Sequence, residues 1–159
     1  MRRGPKRVRR LTLGLALGFL AAGCAEDPLP VPPMPPDLRV VPPPAEVPAE
    51  HARFSGGWVG KWDEQLDHVL IVELEVPAGP STEVVAVYSW GAGSLGVGLP
   101  GWSRVRGRIE NGALRLELTR IQATAVYTMQ PDGTLVAEYW RGDHITAHGR
   151  VTRAPRERT

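Results

Sequence analysis

Trp102-Ser103-Arg104-Val105-Arg106-Gly107-Arg108-Ile109-Glu110-Asn111-Gly112-Ala113-Leu114-Arg115-Leu116-Glu117-Leu118-Thr119 consists of two period-two runs joined by a tight turn. In the first run Val105, Gly107 and Ile109 alternate with three arginines; in the second Leu114, Leu116 and Leu118 alternate with Arg115 and Glu117. Successive side chains of a strand point to opposite faces, so each run carries one apolar and one charged face. Asn111-Gly112 supplies the two residues that tolerate positive φ in a two-residue hairpin turn. The stretch predicts a β-hairpin with one buried face, and the rest of the domain can be read outward from it.

On the N-terminal side Phe54 to Trp62 is a first strand. A second puts His68, Leu70, Val72, Leu74 and Val76 on one face. Glu83 to Trp90 is a third, with Val84, Ala86, Tyr88 and Trp90 on one side and Val85 and Val87 on the other, as in a strand covered on both faces. On the C-terminal side Gln122 to Met129, Thr134 to Arg141 and His144 to Thr152 complete eight strands, with Pro131-Asp132-Gly133 as a turn. All but one of the connections are short, which predicts an antiparallel meander. Such a meander loses its edges by closing into an up-and-down barrel; a two-sheet β-sandwich is the alternative. The all-β domain is expected over residues 54–153, with a disordered tail over 154–159.

The 53 residues before it have a different character. Residues 1–23 run from a basic stretch (Arg2, Arg3, Lys6, Arg7, Arg9, Arg10) through an apolar run, Leu11 to Leu20, to Ala21-Ala22-Gly23. The apolar run is too short to span a bilayer stably, and the order is that of a secretory signal. The block resembles a bacterial lipoprotein signal, whose lipobox ends in the cysteine that is acylated; here that is Cys24, the only cysteine of the chain. The resemblance implies a membrane anchor through acyl chains on Cys24 and a place in the cell envelope, at the outer membrane facing the periplasm if there is one. Ten of the sixteen prolines lie between Pro28 and Pro48. Residues 24–53 therefore read as a disordered or polyproline II linker, extending at roughly 3.1 Å per residue.

Removing residues 1–23 reverses the sign of the chain. Thirteen of the nineteen Lys and Arg, but all seventeen Asp and Glu, lie from Cys24 onward, leaving −4. Nucleic acid is excluded as an expected partner, since the basic residues that suggest it belong to the signal.

Phe54-Ser55-Gly56-Gly57-Trp58-Val59-Gly60-Lys61-Trp62 contains Gly-x-Trp twice and is similar to the opening strand of the calycin barrels, the lipocalins and avidins. That resemblance implies a tryptophan plugging the barrel base with an arginine of the last strand lying across it. Gly56, Trp58, Gly60, Trp62 and Arg150 are the matching positions, Arg150 sharing a parity with His148 and Thr152. The same stretch, with Tyr88-Ser89-Trp90-Gly91, Gly101-Trp102-Ser103-Arg104 and Asp132-Gly133-Thr134-Leu135, also looks like a small module of exported bacterial proteins.

No catalytic residues, metal ligands or cofactor are expected. Gly91-Ala92-Gly93-Ser94-Leu95-Gly96 satisfies G-x-G-x-x-G, but another strand follows where a dinucleotide site needs a helix. Ser94 lacks the helix of a nucleophile elbow, and Asp143 and His144, as neighbours on a strand, are not expected to orient each other. His144 and His148 share a face but stand about 13 Å apart by strand rise, and the histidines read as solvated or edge residues. The leading expectation is non-enzymatic binding of a small or amphipathic ligand in the barrel mouth, under the glycine-rich loop from Gly91 to Gly101, with Trp58, Tyr88, Trp90, Trp102, Tyr127 and Tyr139 as candidate ligand residues. The alternative is a structural module binding envelope protein or glycan through exposed aromatics (Trp90, Trp102, Trp140); a hydrolase-associated domain is third.

Overall fold

The computed structural model describes residues 32–63, 66–75, 81–92 and 99–155. Residues 1–31, on which the expected signal and Cys24 fall, Ser94 with the centre of the glycine-rich loop, and residues 156–159 lie outside the described residues. Eight strands follow one another: β1 (Gly56–Trp62), β2 (Leu66–Leu74), β3 (Thr82–Trp90), β4 (Gly101–Glu110), β5 (Ala113–Leu118), β6 (Ala123–Met129), β7 (Leu135–Arg141) and β8 (His144–Arg153). Each pairs antiparallel with the next and β8 returns to β1, so the sheet closes as an up-and-down barrel. The hairpin predicted around Asn111-Gly112 is β4–β5, with Asn111 at φ 50° and Gly112 at φ 75°.

Alternation sorts the side chains as expected. Leu70, Val72, Val84, Ala86, Ile109, Leu114, Leu116, Ala125, Leu135, Ala137 and Val151 are buried inside the barrel. Because the strands run alternately up and down, the ends of β1, β3, β5 and β7 and the starts of β2, β4, β6 and β8 meet at one end, here called the mouth. The other end is the base. At the base Trp58 is fully buried and its indole N–H donates to the Phe54 carbonyl at 2.9 Å.

The arginine across the base tryptophan is Arg153, not Arg150. The Arg153 guanidinium lies 3.9 Å from the centre of the Trp58 ring and donates to the carbonyls of Ser55 and Arg53. Arg153 shares the inward parity of Ala147 and Val151, whereas Arg150 points out, toward Asp132 at 3.5 Å and Thr134 at 3.0 Å. The one irregularity of β8, between the pairs Tyr139/Ala147 and Trp140/Ile145, lies on the mouth side of Arg150 and leaves that parity intact. Trp62 is also displaced from its expected place. It ends β1, four residues above Trp58, and so stands near the mouth and not at the base.

The proline-rich segment is not a free linker over its described part. From Pro32 it lies along the outside of β2 and β3 as a strap. Ser89 donates its hydroxyl proton to the Pro33 carbonyl at 2.6 Å, and Asp37 pairs with Arg104 at 2.7 Å. Leu38 and Val41 border a groove with Ile71, Val85 and Val87, which gives the second apolar face of β3 its cover. Val47 then joins the core, a four-residue helix α1 (Ala49–Ala52) follows, and His51 hydrogen-bonds Thr82 at 2.8 Å. A proline-rich segment suits this role because it needs no ladder partner, and it bends at two turns closed by Leu38 N–H to the Pro35 carbonyl and Val47 N–H to the Pro44 carbonyl.

Candidate ligand cavity at the barrel mouth

The large inward side chains are not evenly spread along the barrel axis. Trp58 and Phe54 fill the base, whereas the rings of Trp62, His68, Tyr88, Tyr127 and Tyr139 gather in one cluster nearer the mouth, with Trp62 5.5 Å from His68 and 5.7 Å from Tyr139, and His68 4.6 Å from Tyr88 and 5.9 Å from Tyr127. Room for these rings comes from small residues on paired strands. Trp62 faces Gly149 on β8, where a Cβ would stand 3.0 Å from the indole, and Trp90 faces Gly101, where it would stand 2.7 Å from the ring.

Above these rings is a cavity of about 600 Å³, walled by Trp62, Tyr88, Trp90, Val105, Leu118 and Tyr139, with Arg104, Arg106, Glu117 and Arg120 at its edge. Its lateral wall is open because β4 and β5 pair only over Gly107–Glu110 and Ala113–Leu116. Beyond that point β5 gives way to a short 3₁₀ turn, Thr119–Ile121, and the first half of β4 has only β3 as ladder partner.

The polar groups at the floor are few and mostly donors. His68, 1% exposed, has Nδ1 3.0 Å from the Ser89 carbonyl and Nε2 2.7 Å from the Tyr127 hydroxyl. A carbonyl only accepts, so Nδ1 carries the proton and Tyr127 donates to Nε2. Burial lowers the His68 pKa to about 4 against a smaller opposing effect of the Ser89 hydrogen bond, which keeps the ring neutral. Burial likewise raises the pKa values of Tyr88 and Tyr127, with neighbouring tyrosine hydroxyls adding to each shift. Trp62 is 1% exposed, and among the described residues its indole N–H meets no acceptor in hydrogen-bond geometry. The Tyr88 hydroxyl is close enough for that N–H to offset part of the rise in its pKa. The floor is thus aromatic and donor-rich, with the Arg141 side chain hydrogen-bonded to the Tyr139 hydroxyl and opposing the rise that burial causes in its pKa, and it suits an apolar body with an oxygen acceptor.

Comparison with known protein families, curated proteins and solved structures finds no match to this chain. The site is read from its own residues.

Of the candidate ligand residues, Tyr88, Trp90 and Tyr139 line the cavity. Tyr127 lies beneath it, fully buried and tied to His68. Trp58 lies at the opposite end of the barrel, and Trp102 is on the outer face of β4, 37% exposed, with the Arg104 guanidinium 5.7 Å from its ring. Neither reaches the cavity. Trp62, His68, Val105 and Leu118 belong to the site instead. Strand direction was the signal for Trp62, since the end of β1 is the mouth once the first Gly-x-Trp marks the base.

The histidine reading is corrected in three respects. His51 and His68 are buried and hydrogen-bonded, not solvated. His144 and His148 do not share a face, because the irregularity around Thr146 pairs them with Arg141 and Glu138, which have opposite parity on β7. Asp143 and His144 do orient each other, with Oδ1 2.8 Å from Nδ1, since Asp143 belongs to the turn before β8 and strand parity does not govern it. Both are exposed at the rim. Among the described residues no three potential metal ligands come together.

Proposed function

We propose that this chain is a cell-envelope lipoprotein, acylated at Cys24, whose barrel binds a small, largely apolar ligand without chemical turnover. The observation that carries the binding reading is the cavity of about 600 Å³ over an aromatic floor, within the size range of small-molecule sites. The Trp62 N–H and the Tyr88 hydroxyl would orient a carbonyl, ether or hydroxyl oxygen at the deep end, and the open β4–β5 wall would admit the apolar body. Docking of a protein or glycan through the aromatics Trp90, Trp102 and Trp140 has less support, because Trp90 and Trp140 are only half-exposed and Trp90 lines the cavity.

Native mass spectrometry of the protein purified from its host is expected to show a retained small molecule. In vitro, the neutral dye N-phenyl-1-naphthylamine should brighten on binding and be displaced by a medium-chain ketone. Val105→Trp, which fills the cavity from its wall, should weaken dye binding at least about tenfold. Equal dye binding by the two proteins would sink the reading.

A further inference from the structure

The described large apolar side chains that face solvent are Val40, Val41, Leu99, Trp102, Ile121 and Ile145. Two are valines of the strap. The other four occupy the mouth: Leu99 just before β4, Trp102 near its start, Ile121 in the turn between β5 and β6, and Ile145 at the start of β8, at 78%, 37%, 39% and 37% exposure. They come from three connections spread around the barrel, so they form an apolar rim and not one strand's stray face. Single exposed apolar residues are ordinary; Val40 and Val41 lie by the base with Gly56 and Arg153, whereas the four at the mouth come from separate connections and together offer a contact surface.

The course of the chain points to what that surface meets. Pro33 is fixed by Ser89 beside Trp90 and Gly101, and Asp37 by Arg104, so the strap reaches the barrel at the mouth and leaves it at the base. Cys24 lies eight residues before Pro32. A chain of that length spans at most about 29 Å. An anchor at Cys24 therefore joins the barrel from the mouth end, where its path to the lipid is shortest. Charge does not select the lipid, since the ionic groups around the rim are of both signs and partly paired, Lys61 with Asp67 at 3.6 Å and Arg104 with Asp37 at 2.7 Å.

From the apolar rim and the tether at the same end, we infer that the mouth of the barrel docks on the bilayer surface, with Leu99, Trp102, Ile121 and Ile145 entering the interface and the cavity opening toward the lipid. The orientation rests on the anchor reading; the rim does not. Docking also defines the ligand source as the membrane itself, so the cavity would take up an amphiphile without its crossing water.

The test uses the mature chain in phosphatidylcholine vesicles. Acylation of Cys24 leaves no other thiol, so Ile121→Cys at the mouth and Arg115→Cys near the base can each be labelled with a nitrobenzoxadiazole dye. Emission is expected to shift to the blue and to be quenched by brominated lipid at position 121 and to stay unchanged at 115. A Cys24→Ser chain should still sediment with the vesicles, insensitively to salt, and replacing Leu99, Ile121 and Ile145 together by serine should lower that partitioning at least about tenfold. A silent label at 121, the same response at both positions, or a response at 115 alone overturns the inference. Shielding at 121 produced by envelope proteins but not by vesicles also overturns it. Dye displacement by the ketone, measured on the same proteins without vesicles, separates failure of docking from failure of ligand binding, and the intact mass of the mature chain separates both from failure of acylation.

Discussion

His68 is the residue whose charge the fold resists most directly. Its pKa is lowered to about 4 by burial, against roughly 6.5 in an unfolded chain. Protons therefore bind the unfolded state first, and stability falls as pH drops below 6.5 until the folded-state value is reached. Over that window the loss should be about 3 kcal/mol, seen as a fall in the urea midpoint between pH 7 and pH 4.5. His68→Gln, whatever its stability at pH 7, should flatten the dependence in that window; an unchanged slope would show that the ring is not neutral and buried. Asp37, Asp132 and Asp143 act lower on the scale. Their pKa values are depressed by Arg104, by the Thr134 hydrogen bonds and by His144 respectively, so whatever they contribute is lost only as pH falls through and below the ordinary carboxylate range. The base arginine makes a second residue-scale prediction. Arg153→Met removes a cation over the Trp58 ring and two charged hydrogen bonds and should cost about 1–2 kcal/mol, whereas Arg150→Met should leave the unfolding midpoint unchanged within error. Equal effects of the two substitutions would refute the assignment. Parity already separates these arginines in the sequence, because Arg153 continues the series Ala147, Gly149, Val151 while Arg150 does not. What the sequence could not reveal is that β8 runs one residue further than its apolar pattern, to Arg153.

Among the elements, the strands were legible and the strap was not, and the reason is physical. A half-buried strand writes its environment into its own alternation, so the inward residues of β2, β3, β5 and β6 are legible in the sequence alone. A polyproline segment has no such period, and its proline content describes what it cannot form without indicating what it touches. The missing partner was nonetheless recorded elsewhere, in Val85 and Val87 opposite Val84 and Ala86 on β3. An antiparallel strand apolar on both faces needs a second cover, and the strap supplies it over Ile71 and Val87, which are cross-strand partners and 6% and 5% exposed. Shortening the chain to begin at Pro48 should therefore expose these two side chains and remove Val47 from the core. The expected loss is about 3–5 kcal/mol, at roughly 1.5–3 kcal/mol per large aliphatic side chain and discounted for partial burial. Urea unfolding measures it, with increased binding of an apolar dye to the outer face of the truncated barrel as a second sign. Undiminished stability would mean that the segment is only a spacer.

At the scale of the whole molecule, the barrel is closed unevenly. Its shortest ladder is β4–β5, with four residue pairs, against nine for β3–β4 and seven for β1–β2. The imbalance follows from lengths fixed in the sequence, since β4 has ten residues and β5 only six after a turn that sets their register. The cavity lies where β4 outruns its partner, with Ser103 to Arg106 on one side and Glu117 to Ile121 on the other. The cavity's place was therefore foreshadowed by strand lengths, but its volume was not, because volume depends on how the rings of Trp62, Tyr88 and Tyr139 pack. This geometry makes a prediction about dynamics. Alternate backbone N–H groups between Gly101 and Arg106 point away from β3 into the open wall, and β4 has no ladder partner there. Those amides should exchange with solvent deuterons much faster than the alternate set bonded to β3, and faster than amides in the paired half, Gly107 to Glu110. A ligand that enters through this wall should slow exchange in the first half of β4 and in Glu117 to Ile121 while leaving the base, Trp58 and Arg153 included, unaffected. Uniform exchange along β4 would mean that the wall is closed in solution, and protection appearing at the base would place the ligand at the wrong end of the barrel.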